Sequence, residues 1–165
     1  MSRATAAGAD GPAPGETAIE FLIAGVELSE LFSEVVRRRG GLTLAQYRTL
    51  AALRGATKRE PWELARAVQV SSAHMTSILD QLMRLGLVER RVDPVDRRRR
   101  QVALTDAGRR RLRVLSPHVL ALEARVLETT FTTSERAALT ELVRRLRAGI
   151  AELVLSEGAA VRTLP

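Results

Sequence analysis

The chain has 165 residues, with 26 Lys and Arg against 19 Asp and Glu, a formal charge of +7, and no cysteine. Its 45% hydrophobic content suffices for a core and excludes a wholesale disordered polymer, while the missing thiols exclude disulfides, cysteine-held zinc and thiol redox switching. No apolar run approaches the roughly 18 residues of a membrane span, so a cytoplasmic protein of one domain, or of a domain plus a dimerising extension, is expected.

Residues 1–15 hold three Gly and two Pro without apolar periodicity and read as a disordered tail. From Thr17 the spacing Ile19, Leu22, Ile23, Val26, Phe32, Val35, Val36 follows a helical period. Arg37, Arg38 and Arg39 suit the negative end of that helix, and Gly40-Gly41 stop it. Thr43 caps a second helix with Leu44, Tyr47, Leu50 and Leu53 on its apolar face, closed by Gly55. Pro61 fits the first position of a third helix, with Leu64, Ala65 and Val68 facing inward.

Ser71 or Ser72 caps a fourth helix whose inner side is Met75, Ile78, Leu79, Leu82 and Leu85, ended by Gly86. Its other side carries His74, Ser77, Gln81 and Arg84. Two β-like runs follow, 87–92 and 100–104, separated by a loop over 93–99 that opens with Asp93-Pro94. A fifth helix starts at Thr105 with Asp106 in its first turn and runs towards Thr130; Pro117 inside it predicts a kink or a break. Thr132-Thr133-Ser134-Glu135 has capping-box spacing and opens a sixth helix striped with Leu139, Leu142, Val143, Leu146, Ile150, Leu153 and Val154. After Ser156 the chain reads as a short polar tail.

The order helix, turn, helix, hairpin is that of a winged helix-turn-helix. The fold expected is mainly α with a minor β part: about six helices, a small hairpin wing, and N- and C-terminal dimerisation helices. The domains divide as a winged domain at 41–108, a dimerisation region at 16–40 and 109–156, and tails at 1–15 and 157–165.

The charge follows the same plan. Residues 84–113 hold eleven Arg (84, 90, 91, 97, 98, 99, 100, 109, 110, 111, 113) and four acids (Glu89, Asp93, Asp96, Asp106), the whole excess, while the other 135 residues balance 15 basic against 15 acidic side chains. Such a stripe points to a polyanion, with a solvated Arg-rich surface as the bland alternative. In a helix-turn-helix the N-terminal side chains of the second helix meet base edges in the major groove. Here these are Ser72, Ala73, His74, Ser77 and Gln81, with Ser71 and Thr76 suited to phosphates. Four consecutive Arg, 97 to 100, cannot all find acids within one short loop, and they suit the electronegative minor groove.

The stretch Asp96-Arg97-Arg98-Arg99-Arg100-Gln101-Val102-Ala103-Leu104-Thr105-Asp106-Ala107-Gly108 resembles the wing signature of the MarR (multiple antibiotic resistance regulator) family, D-x-R followed by V-x-L-T-x-x-G. Upstream, Leu42-Thr43-Leu44-Ala45-Gln46-Tyr47 resembles the family's L-T-x-x-Q-[FY], Glu63-Leu64-Ala65 its E-L-A, and Leu82 with Gly86-Leu87-Val88-Glu89-Arg90 its L-x-x-x-G-L-V-x-R. With the flanking helices the likeness spans about residues 17–155. It implies an obligate homodimer on a pseudo-palindromic double-stranded DNA operator, with Asp96 orienting the wing arginines, Arg98 entering the minor groove, Arg97 and Arg99 beside it, and Ser72, His74, Ser77 and Gln81 facing the major groove. The chain departs from the family at Ser77 and Gln81, where Arg is frequent; Gln81, if it reaches a base, favours adenine.

A repressor released by a small aromatic or anionic effector is the expected function. No cofactor or metal is called for, and no Gly-rich phosphate loop, G-x-S-x-G or H-E-x-x-H supports an enzyme. His118 has no second ligand at metal spacing, Tyr47 fits the core, and Trp62 is a candidate pocket border. Arg109-Arg110-Arg111 opens the fifth helix against its dipole and calls for a phosphate, an acid of another subunit, or plain solvation. Two rival readings are a winged-helix module that docks on an acidic protein and an architectural DNA binder without an effector.

Overall fold

The computed structural model describes residues 14–55, 58–92 and 100–161. In chain order they form α1 (Pro14–Gly40), α2 (Leu44–Leu53), α3 (Pro61–Val68), α4 (Ser72–Arg84), β1 (Val88–Val92), β2 (Arg100–Leu104), α5 (Asp106–Thr130) and α6 (Thr133–Val161). The strands pair antiparallel, Val88 opposite Leu104 and Val92 opposite Arg100. The fold is a winged helix-turn-helix with long helices on either side in sequence. Among the described residues no helix is long and apolar enough to cross a membrane.

The chain divides into two compact units, residues 1–119 and 120–165. In the first, the predicted inner faces close on one another: Val36, Leu42, Leu50, Leu53, Leu64, Val68, Met75, Leu79, Leu82, Val102 and Leu115 are all buried in one cluster, and Tyr47 packs half-buried against it. A feature with no signal in the sequence joins the hairpin to the segment before α3. Arg59 exchanges both backbone hydrogen bonds with Val102, at 2.9 and 2.8 Å, so β2 is paired on both sides at that residue.

Local chemistry explains the boundaries. Thr43 and Gln46 make a full capping box on α2, the hydroxyl accepting from Gln46 N at 3.2 Å and the Gln46 carboxamide oxygen from Thr43 N at 2.9 Å. At α3 the Glu63 carboxylate accepts from Glu60 N at 2.8 Å, ahead of Pro61. Of the two serines proposed as the cap of α4, Ser71 serves: its Oγ accepts from His74 N at 3.2 Å. At the mouth of α5, Thr105 Oγ1 donates to the Gly86 carbonyl at 2.7 Å and accepts from Gly108 N at 3.0 Å. A Cβ on Gly108 would sit 2.0 Å from the Leu87 carbonyl oxygen, so this glycine is required by close approach of two backbones.

Some expectations need correction. α1 starts at Pro14, three residues before Thr17, because proline is compatible with a first helical turn. Leu85 is not on the inner face: as the residue that ends α4 it leaves the helical face and is 54% exposed. Of the kink or break expected at Pro117, the break does not occur: α5 runs through that residue as one helix. α6 continues to Val161 rather than stopping at Ser156, a good helix-forming Ala-Ala pair following Gly158.

The second unit comprises the end of α5 and α6. The Glu135 carboxylate caps α6, accepting from Thr132 N and Thr132 Oγ1, both at 2.7 Å, and these bonds hold its pKa below the ordinary glutamate value. Along α6 the apolar residues Leu142, Leu146, Ile150, Leu153 and Val154 stand exposed. In the first unit, α1 likewise exposes Ile19, Leu22, Ile23 and Val26.

Candidate nucleic-acid interface

α4 is amphipathic to the degree that a reading helix must be. Met75, Ile78, Leu79 and Leu82 anchor it in the core, and Ser71, Ser72, Ala73, His74, Thr76 and Ser77 are left exposed on the other side. The turn before it is set by Gln69, which adopts a left-handed conformation (φ 61°) and ends α3, and by Val70 N donating to Ala65 O at 3.0 Å.

The hydrogen bonds of this face decide what each side chain offers. Ser71 Oγ accepts within its cap, so its proton is available to a phosphate. Thr76 spends its hydroxyl proton on the Ser72 carbonyl at 3.0 Å, and while that bond lasts it has none for a phosphate. Gln81, one turn beyond Ser77, is half-buried: Gln46 Nε2 of α2 donates to its Oε1 at 2.8 Å, and its own Nε2 reaches Ser77 Oγ at 3.4 Å. This bond between two helices has no pattern in the sequence, because the partners are 35 positions apart.

The arms of the hairpin carry the basic stripe outward. Arg90 Nη2 pairs with Asp80 of α4 at 3.0 Å, tying β1 to the reading helix, and Arg91 pairs with Glu89 at 2.6 Å. The wing residues Asp96, Arg97, Arg98 and Arg99 lie outside the described residues, as does the rest of the loop over 93–99.

Two of the three arginines opening α5, Arg109 and Arg111, are held by neighbours within the chain. Arg109 pairs with Asp106 at 2.6 Å and donates to Leu104 O at 2.8 Å; Arg111 Nη1 donates to Gly40 O at the negative end of α1. The hydrogen bond from Arg109, with the fields of Arg109, Arg110 and Arg113, keeps the Asp106 carboxyl below the ordinary aspartate pKa. Arg84, Arg110 and Arg113 form no ion pair among the described residues, so that part of the stripe is uncompensated.

A cleft of about 370 Å³ opens beside this stripe, lined by Arg39, Leu85, Leu87, Ala107, Arg110, Arg111 and Val114. It combines an apolar wall with three guanidinium groups and lies against the joint between α4 and β1. Neither Trp62, exposed with its indole N–H on Glu60 at 2.8 Å, nor the exposed His118 lines it. Among the described residues no group of three His, Cys, Asp or Glu is placed to hold a metal.

The model of the MarR family matches residues 40–99, the span from the end of α1 through the helix-turn-helix and into the hairpin loop. Over a greater length the chain is similar in fold to Sco3205, a MarR family transcriptional regulator from Streptomyces coelicolor solved in complex with DNA (TM-score 0.77, 21% identity, 85% of this chain and 92% of that one). It is similar to wild-type MarR from E. coli (TM-score 0.67, 26% identity, 83% and 98%). It is similar in fold also to Bordetella bronchiseptica BpsR, whose DNA binding is regulated by 6-hydroxynicotinic acid (TM-score 0.72, 24% identity, 83% and 98%). These relatives are transcriptional regulators, not enzymes. Over residues 40–99, its winged helix-turn-helix, this chain matches the model of the MarR family, and its fold is that of solved MarR family regulators.

Proposed function

We propose that the protein is a repressor in the cytoplasm that binds a pseudo-palindromic duplex operator as a homodimer and is released by a small anionic aromatic effector. The observation that carries DNA reading is the face of α4, where a buried apolar side fixes a row of small polar side chains outward beside an uncompensated basic stripe. Phosphate neutralisation by that stripe supplies affinity and base-edge contacts from Ser72, His74 and Ser77 supply preference. That Sco3205, of the same fold, was solved in complex with DNA supports duplex binding.

The homodimer rests on apolar faces that nothing within either unit covers. Ile19, Leu22, Ile23 and Val26 recur on one side of α1 and Leu142, Leu146, Ile150 and Leu153 on α6, more contiguous apolar helix surface than a monomer ordinarily leaves in water. Reading of two half-sites by such a dimer calls for reading helices about 34 Å apart, one duplex turn.

For the effector, the cleft between Arg39, Arg110 and Val114 has the volume of a small-ligand site, an apolar wall for a ring and guanidinium groups for a carboxylate. A ligand there presses on Leu85 and Leu87, which join α4 to β1, and favours the arrangement that does not fit DNA.

Selection of bound sequences from random duplexes tests the reading: it is expected to return a two-fold-symmetric consensus. Arg98→Ala is expected to weaken binding to that consensus by about 1 to 3 kcal/mol and to lower the salt slope by about one. Aromatic carboxylates are expected to release the duplex from the wild type but not from Arg39→Ala. Binding of the same strength to every sequence would refute operator reading and leave an architectural role.

A further inference from the structure

We infer that Gln81 does not read a base but is a positioning residue. It passes an orientation fixed at the α2 cap to Ser77, which accepts from it and so turns its hydroxyl proton towards DNA as a donor. The inference deepens the operator-reading proposal and rests on it.

The argument is one of forced polarity. Thr43 N is a backbone donor, so the Gln46 atom that meets it at 2.9 Å is the carboxamide oxygen. The other end of that amide, Nε2, is therefore a donor, and the Gln81 atom that receives it at 2.8 Å is Oε1. Gln81 Nε2 must then face Ser77, and Ser77 Oγ accepts from it at 3.4 Å. With its inward lone pair engaged, the Ser77 hydroxyl turns its proton outward. Gln46 is 6% exposed and Gln81 half-buried, so the relay is shielded from water on the α2 side. Bidentate pairing with adenine needs both ends of a Gln amide directed at one base edge, and both ends of Gln81 are engaged within the protein.

An outward donor selects acceptors. In the major groove these are guanine N7 and O6, thymine O4 and adenine N7, whereas cytosine presents only its N4 donor. The base facing Ser77 on the contacted strand of each half-site is thus expected to be guanine, thymine or adenine rather than cytosine.

Gln46→Glu tests this without touching DNA. A carboxylate is well suited to the third position of a capping box at a helix N-terminus, so Thr43 stays capped. Glu at 46 has no donor, so Gln81 must turn its amide to give Nε2 to it, and its Oε1 then takes the Ser77 proton. The outward face of Ser77 becomes an acceptor. Selection from random duplexes with wild type and variant, with circular dichroism to confirm the fold, is expected to move one symmetric position away from guanine and thymine and towards cytosine, adenine being compatible with either polarity through N7 or N6. The expected change is about fivefold to tenfold in relative affinity, the worth of one hydrogen bond. Ser77→Ala is expected to erase preference at that same position.

A folded Gln46→Glu protein with an unmoved consensus overturns the relay, as does movement at a position other than the one Ser77→Ala erases. Should Gln46→Glu fail to fold, Gln81→Met replaces it. The relay predicts lost preference at the Ser77 position alone, and loss of an adenine elsewhere identifies Gln81 as a direct reader and overturns it. A wild type that returns no consensus refutes operator reading itself, a result separable from failure of the relay.

Discussion

The winged region and the long α6 are built from the same aliphatic residues and treat them in opposite ways. Between Leu42 and Leu104 nearly every large apolar side chain on an element's inner face is buried, whereas on α6 Leu142, Ile150, Leu153 and Val154 are each at least half exposed. The first set finds partners within one unit, across helices of 8 to 13 residues. The second forms a stripe on a helix of 29 residues that its own unit of residues 120–165 cannot cover. The difference separates what the chain buries within one unit from what it leaves exposed, the surface proposed above for a second copy.

The largest effect expected from breaking this contrast is at Gly108. Gly108→Val drives a side chain into the Leu87 carbonyl, and a loss of about 3 kcal/mol or more is expected, seen as a collapse of the thermal midpoint whatever the protein concentration. Leu82→Ala, at 0% exposure, is expected to cost about 2 to 5 kcal/mol, also independent of concentration. Leu153→Ala, at 62% exposure, sharpens the comparison: its effect is expected to depend on concentration, and Leu22→Glu with Val26→Glu to yield folded monomers by sedimentation. A stable wild-type monomer would sink the second half of the contrast.

Smaller effects belong to the caps. Thr43→Ala is expected to cost about 1 kcal/mol in denaturant titration, since it removes one half of the α2 capping box. The smallest is a pH effect. The folded pKa of Glu135 lies below its ordinary value of 4.5, so the stabilisation it gives is present above that value and is lost as pH falls through the folded one. Glu135→Gln is expected to flatten the acid limb of the stability curve, and an unchanged limb would show that the Thr132 cap does not contribute.

What was legible in the sequence was what neighbours in the chain determine. Thr43, Gly86 and Thr132 mark helix ends through bonds to residues a few positions away, Pro61 does so through its fixed φ, and helical spacing found the buried faces. What was not legible depends on residues far apart: the Gln46 bond to Gln81, the Arg59 bridge to Val102, and the Arg111 bond to Gly40. Gln81 shows the cost. From spacing alone it belongs to the outer face and reads as a base reader, and only its partner on α2 reveals that its amide is already engaged. Leu85 fails differently, since extending a helical period by one residue past the last turn puts it on the wrong side.

The central claim is that a dimer of this chain reads duplex DNA through α4 and the basic stripe. Its most direct test is equilibrium binding of the wild type to its selected duplex and to a scrambled one across a salt series. The account predicts one dimer per symmetric site, tighter binding to the selected duplex by about 10³-fold or more, and an affinity that falls steeply with salt. Equal affinity for the two duplexes, or binding insensitive to salt, would contradict it.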